Sequence, residues 1–451
     1  MMTLSLVRAL RVGKSPRIAF IGAGGKTTAM FQLARLLLKE NGRSTVIVTA
    51  TSHLGSWQIP FADVHIIAGS PETIEANRHR LKGIVLITGD LEQERTKPIN
   101  DQTLNWLHQY SEVHSLPILI EADGSRQKPL KAWANHEPPI PSFANHVVQV
   151  VGMTGIGKPL TEEHVHRSEI FSNISGLRMN DLVSAEAVIT VIKSVTAGLK
   201  NFPEHARKTV LLNQADTPEL QASANGLVLP LLKAYDSVII ASLKQEAIFA
   251  VHEPIAGIIL AGGESSRFGA AKQLLDWKGK PFVRAVAMTA LEAGLSPVIV
   301  VTGANSERVA AALTGLDITI VENADWKSGQ ASSITAGIKA LRSKTDHIVG
   351  GAIFLLTDQP QITSSILRAL VQSHAEGLYS IVAPMVMDQR ANPVLFDRDT
   401  FSDLLTLEGD VGGRAIFHKH RAEYLPWHDD RLLLDVDTPE MYQRLISDET
   451  L

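Results

Sequence analysis

Three features of the sequence predict two tandem three-layer doubly wound α/β domains. Short β-branched runs occur in two separate series, segments with helical apolar spacing lie between the runs, and a glycine-rich turn directly follows the first run of each series. A length of 451 residues accommodates two domains of 200 to 250 residues, each large enough to bury its own core. Hydrophobic residues at 45% and charged residues at 20% exclude a disordered, collagen-like or coiled-coil chain. Lys+Arg 43 against Asp+Glu 47 gives −4, so no general basic surface is present to hold nucleic acid or an anionic membrane, and any anionic ligand must meet a local site. The absence of cysteine removes disulfides, thiolate metal ligands and cysteine nucleophiles. Apolar stretches near the start are broken by Arg8, Arg11 and Lys14, and no run is long enough to span a bilayer, so a cytoplasmic protein is expected.

The first series reads as buried parallel strands at 17–21, 45–49, 84–88, 116–120, 147–151, 209–212 and 238–241. Between the first two, residues 28–39 place Met30, Leu33, Ala34 and Leu37 on one helical stripe. The second series reads as strands at 255–260, 298–302, 318–321, 352–356 and 381–383. The segments after the two glycine turns do not match, so the organisation is tandem domains at 1–244 and 255–451, joined by a linker at 245–254.

Residues 18–28 read I-A-F-I-G-A-G-G-K-T-T, a strand, a glycine turn and a helix start. Gly22, Gly24 and Gly25 let backbone amides approach a phosphate chain, Lys26 supplies charge and Thr27 reaches a magnesium ion, although the usual spacing needs glycine at Phe20. The first domain is therefore P-loop-like, with a shortened loop. The apolar run ending in Glu121 and Asp123 offers either carboxylate to magnesium or its water shell. The run L-L-N-Q-A-D at 211–216 approaches the N-K-x-D pattern that reads guanine, through Asn213 and Asp216, with Gln214 where lysine is usual. Asp216 reads equally as a turn residue before Thr217 and Pro218. His164 and His166 stand among Glu162, Glu163 and Glu169, but positions two apart on a helix diverge and do not share a ligand face. Arg126, Lys128 and Lys131 form either a clamp for an anionic substrate or a solvated basic loop.

Residues 258–272 read I-I-L-A-G-G-E-S-S-R-F-G-A-A-K. Leu260, Ala261, Gly262 and Gly263 bring backbone amides to a triphosphate, while Arg267 and Lys272 offset the charge that grows on departing pyrophosphate. Asp358 and Asp437, each at the end of an apolar run, are hard-oxygen ligands suited to Mg²⁺. In-line attack on an α-phosphorus needs this metal and these cations and no Ser/His/Asp triad.

These residues carry two family resemblances. E-A-D-G-S-R-Q-K-P-L-K at 121–131, H-E-P-P-I-P at 136–141, G-K-P-L-T-E-E-H-V-H-R at 157–167 and T-A-T-S-H-L at 49–54 resemble the YqeC family, over about residues 15–245. That family is named as an accessory factor of selenium-dependent molybdenum hydroxylases, which implies nucleotide binding and an apo molybdenum hydroxylase as partner. The second half resembles the MobA/MocA-like nucleotidyltransferases over about residues 255–446, and most nearly their CTP-using molybdopterin members. Beyond the glycine turn the likeness rests on G-Q-A-S-S-I-T-A-G at 329–337, T-D-Q-P at 357–360, R-A-N-P-V-L-F at 390–396, G-D-V-G-G-R-A at 409–415 and D-V-D-T-P-E at 435–440.

By this resemblance the second domain is a Rossmann-like nucleotidyltransferase. Its glycine turn holds CTP, Lys272 contacts phosphates, Ser332 and Ser333 lie near the nucleotide, and Asn392 and Pro393 begin the segment facing the pterin. Gly262 gives L-A-G-G, the form more typical of guanylyl members, whereas the guanylyl pattern G-G-x-D-K after the arginine is absent. The expectation is transfer of CMP from CTP to Mo-molybdopterin with Mg²⁺, releasing pyrophosphate. GTP use and a non-catalytic cofactor carrier and docking protein are the alternatives.

Overall fold

The computed structural model describes residues 4–40, 42–264, 268, 271–344 and 348–447. Arg267 lies outside them. Two compact units divide between His252 and Glu253.

In the first unit nine strands form one sheet: β1 Arg17–Gly22, β2 Thr45–Ala50, β3 Val64–Ile67, β4 Gly83–Thr88, β5 Ile118–Glu121, β6 His146–Gly152, β7 Arg207–Asn213, β8 Ser237–Ser242 and β9 Ala247–His252. Their spatial order is β9-β8-β7-β6-β1-β5-β2-β4-β3. All neighbours run parallel except β9, which is antiparallel to β8. All seven strands read from the β-branched runs are present. The expected linker is corrected: within 245–254, Ala247–His252 is the edge strand β9, with Ala250 and Val251 buried. Its six residues carry enough apolar surface to complete the sheet.

Helix α1, Lys26–Glu40, starts directly after the glycine turn and buries the predicted stripe of Met30, Leu33, Ala34 and Leu37. Chain order reverses at β1, since β2 and β5 lie on one side and β6 on the other. The carboxyl end of β1 is thus a topological switch point, where doubly wound sheets open a crevice. The turn that follows needs glycine. Gly22 and Gly24 have φ of +93° and +86°, and a Cβ on them would meet Val150 O at 2.2 Å and Gly152 Cα at 2.4 Å.

The second unit has a mixed sheet of β10 Ile255–Ala261, β11 Val298–Thr302, β12 Thr319–Glu322, β13 Gly351–Leu356, β14 Ile381–Val386, β15 Gln389–Arg390, β16 Val394–Asp397 and β17 Ala422–Pro426. The order is β12-β11-β10-β13-β16-β14-β15, with β17 also on β14. Strand β16 is antiparallel to both neighbours. Alternate residues divide between two cores, as a three-layer fold requires. Ile259, Ile353 and Leu355 pack with Val283, Val286 and Leu370 on one face, and Ile258, Ala352 and Phe354 with Ile334 and Ile338 on the other. Its first strand, β10, lies between β11 and β13, so the second glycine turn also occupies a switch point. Among the described residues, no helix is long and apolar enough to cross a membrane.

Gly24→Ala is expected to destabilise the first unit by about 3 kcal/mol or more, because positive φ and a backbone clash coincide. Denaturant titration of the full chain checks this, with loss confined to the transition of the first unit.

Candidate functional sites

Asp123 organises the crevice of the first unit. It follows β5, has no exposure, and accepts the Gly22 N–H on both oxygens at 3.1 and 3.0 Å. Trp133 Nε1 donates to its Oδ2 at 2.6 Å, and the ammonium groups of Lys131 and Lys26 lie 3.0 and 3.3 Å away. Burial alone pushes the carboxyl up, but Lys131, Lys26 and the Gly22 amide outweigh it and hold the group below the ordinary aspartate value. Asp123 is thus engaged by protein groups on both oxygens and anchors the turn.

Lys26 is enclosed as well, with Nζ donating to Gly22 O at 2.7 Å. Thr27 remains beside a cavity, donating its hydroxyl to Glu121 Oε2 at 3.2 Å. Burial raises the Glu121 carboxyl, opposed by Lys26 and reinforced by Asp123. Of the two carboxylates read as magnesium candidates, Glu121 is the one whose donor set fits a hard cation or its water shell beside Thr27.

Asn213 and Asp216 reach the same end of the sheet. Asn213 Nδ2 donates to Gly24 O at 2.7 Å, its Oδ1 accepts from Leu243 N at 2.9 Å, and a Cβ on Gly25 would meet its Nδ2 at 2.4 Å. Asn213 is therefore a brace for the turn. Asp216 is half-buried and is oriented by Ser242, whose hydroxyl donates to Oδ1 at 2.5 Å. Ser242 was missed in the sequence, since it stands at a strand end 26 residues away with no motif around it. His166 lies in a two-residue strand, Val165–His166, paired with Leu130–Lys131. Among the described residues no group of three or more His, Asp or Glu is placed to hold a metal ion.

In the second unit, Leu260, Gly262, Gly263, Lys272, Ser333, Asp358 and Asp437 line one cavity of about 670 Å³. Ala261 is buried behind the turn, which Gln273 braces by donating Nε2 to Gly263 O at 2.6 Å and Ala261 O at 3.3 Å. Lys272 Nζ bridges the carboxylates, 2.7 Å from Asp437 Oδ1 and 3.4 Å from Asp358 Oδ2. Asp358 Oδ1 is buried without a hydrogen-bond partner among the described residues. Burial pushes the Asp358 carboxyl above its ordinary value, with Lys272 opposing and Asp435 and Asp437 reinforcing. An orphaned oxygen beside a second carboxylate fits a cation that keeps most of its waters and takes its remaining ligands from a phosphate chain.

The two serines separate. Ser333 lines the cavity and accepts from Asn323 Nδ2 at 3.1 Å. Ser332 is occupied, donating to Gly329 O and accepting from Asn323 Nδ2, both at 2.8 Å. It closes the start of helix α2 Gln330–Lys344 and does not line the cavity. Asn392 lines an adjoining space of about 240 Å³ that shares Leu260, Gln330 and Leu356 with the first, whereas Pro393 is buried beside it and lines neither. That space also contains Arg414 and Asp435, which the sequence reading did not single out. Asp435 was the less visible carboxylate of D-V-D, and Gln359 donates to it at 2.6 Å.

Comparison with known proteins gives two families. The model for YqeC protein matches residues 18–169, and that for MobA-like NTP transferase domain matches residues 257–424. The chain is 31% identical to uncharacterized protein YqeC of Escherichia coli (strain K12), covering 50% of this chain and 87% of that protein. It is 31% identical to nicotine blue oxidoreductase of Paenarthrobacter nicotinovorans, over 43% of this chain and 96% of that one. It is 23% identical to molybdenum cofactor cytidylyltransferase of Escherichia coli (strain K12), over 41% and 91%.

Folding raises the pKa of Asp358, so its contribution to stability is favourable below the unfolded-state value and is lost as pH rises through the folded value. Asp358→Asn is therefore expected to raise the melting temperature of the second unit at neutral pH without divalent cation. The gain should vanish as pH falls into the ordinary aspartate range, and scanning calorimetry across pH checks both.

Proposed function

From a chain that belongs to the YqeC family in its first half and to the MobA-like NTP transferases in its second, we propose a two-part molybdenum-cofactor protein. The second unit transfers CMP from CTP to Mo-molybdopterin, giving molybdopterin cytosine dinucleotide and pyrophosphate. The observation carrying this reading is the convergence of Lys272, Asp358 and Asp437 on the cavity under the glycine turn, with one Asp358 oxygen unpartnered among the described residues.

The phosphate oxygen of the acceptor attacks the α-phosphorus of CTP. A new P–O bond forms as the bond to the β-phosphate oxygen breaks, and its electrons leave with pyrophosphate. A magnesium ion held by Asp358 and Asp437 would supply charge neutralisation along the triphosphate. Lys272 orients the phosphates at the floor of the cavity, the amides of Gly262 and Gly263 line the approach, and Ser333 limits the space behind Gly262. Arg267, outside the described residues, keeps its expected role on the leaving pyrophosphate. Asn392 and Arg414 line the adjoining space, which this reading gives to the pterin. The likeness to molybdenum cofactor cytidylyltransferase supports this substrate pair.

Gly262 supports GTP as the second reading. A Cβ there would meet Ser333 Oγ at 3.0 Å, so glycine leaves slightly more room beside the nucleotide than alanine. The likeness to nicotine blue oxidoreductase raises redox chemistry on this scaffold, but two carboxylates and a lysine suit a polyphosphate better than a hydride donor. The first unit binds nucleotide at its glycine turn, with Thr27 and Glu121 toward the metal and Asp216 toward the base, and assists loading of an apo molybdenum hydroxylase.

With Mg²⁺ and Mo-molybdopterin, CTP is expected to support pyrophosphate release faster than GTP, and Lys272→Met to slow it about 100-fold or more. Preference for GTP would overturn the cytidylyl assignment, and release with neither nucleotide would favour the carrier. In the first unit, Thr27→Val is expected to weaken magnesium-dependent nucleotide binding about tenfold in calorimetry while leaving the Asp123 cluster intact.

A further inference from the structure

The first unit contains a cavity of about 1020 Å³ that begins at Thr27 and Glu121 and extends to residues 124–127 and to His166 and Arg167. Gly22, Gly24 and Gly25 of the glycine turn do not line it. Four of its lining residues present buried polar atoms with no partner among the described residues: Ser52 Oγ, Gln58 Oε1, His166 Nδ1 and Arg167 Nε. Gln58 is 4% exposed and His166 9%. Buried polar atoms left unmatched are costly, and four on one cavity mark a place where a ligand completes the hydrogen bonding.

Charge indicates what that ligand carries. Arg95, Arg126 and Arg167 line the cavity together with Glu94, Glu121 and Glu137, and the Glu137 carboxylate is already answered, by Arg167 Nη2 at 3.0 Å and Lys131 Nζ at 3.6 Å. Arg126 is exposed on the wall, in a loop where it and Gln127 have φ of +49° and +60°. Burial, with Lys131 and Arg167, holds His166 at about 4, so near neutrality its ring has one donor and one acceptor nitrogen. Guanidinium, hydroxyl and imidazole groups together match a tetrahedral oxyanion.

We propose that this cavity binds an oxyanion-bearing polar small molecule, anchored by Arg126 and Arg167 and hydrogen-bonded by Ser52 and His166. The space far exceeds a bare oxyanion and is of the size that encloses a small organic ligand, so a phosphorylated organic molecule is the favoured source. The proposal does not depend on nucleotide binding at the glycine turn.

Titration calorimetry of the full chain with ribose 5-phosphate, inorganic phosphate and ribose tests it. Saturable binding of ribose 5-phosphate but not ribose is expected, weakened about tenfold or more by Arg126→Ala and by His166→Phe in variants whose melting profiles match the parent. Inorganic phosphate binding as tightly as the sugar phosphate, with the same response to the variants, would uphold the oxyanion site and make free phosphate its source. Absence of binding by both phosphates overturns the proposal. So does binding that neither variant changes, or binding abolished by Lys272→Ala, which would place the phosphate in the second unit.

Discussion

A carboxylate taken out of water must be met by donors or by a cation, and both units are arranged around that constraint. Each places an aspartate just beyond the strand beside its first strand, and each sets a lysine from beyond its glycine turn against it: Lys26 with Asp123, Lys272 with Asp358. The two pairs resolve the constraint differently. Asp123 receives a backbone amide, an indole and two ammonium groups, and its pKa falls. Asp358 keeps one oxygen unpartnered among the described residues, stands near two further carboxylates, and its pKa rises.

That difference assigns the roles. A saturated carboxylate fixes geometry: Asp123 pins the Gly22 amide, and through it the start of the turn, while Asn213 holds Gly24 from the other side. An undersaturated one stores a binding capacity at some cost to stability, as functional sites commonly do. The strands place both at switch points, where parallel packing leaves carboxyl ends facing a crevice.

Much of the fold was legible because its signals are local. Buried parallel strands read as uninterrupted β-branched runs, and the stripe on α1 reads as Met30, Leu33, Ala34 and Leu37. Strands 64–67, 394–397 and 422–426 were not read, and two of them, 64–67 and 422–426, are only partly buried. The strand at 247–252 falls inside the expected linker, with charged residues and a proline at its borders. In the sites, Thr27, Lys272, Asp358 and Asp437 were read from the residues themselves and Asn392 from the family resemblance, and each lines a cavity. Ser242, Gln273, Arg414 and Asp435 were not, because each acts on a partner distant in sequence or shares its motif with a more prominent neighbour.

The sequence by itself determined the alternation of strands and helices, the two glycine turns and the chemical types gathered after them, since those depend on local periodicity and backbone freedom. Tertiary structure alone decided which carboxylate is satisfied and which is open. Asp123 and Asp358 read alike as acids at the ends of apolar runs, and only the arrival of Trp133 and Lys131 at one, and of Asp435 and Asp437 near the other, separates them. A carboxylate's role follows from the donors and charges within a few ångströms, and the chain brings those together only on folding.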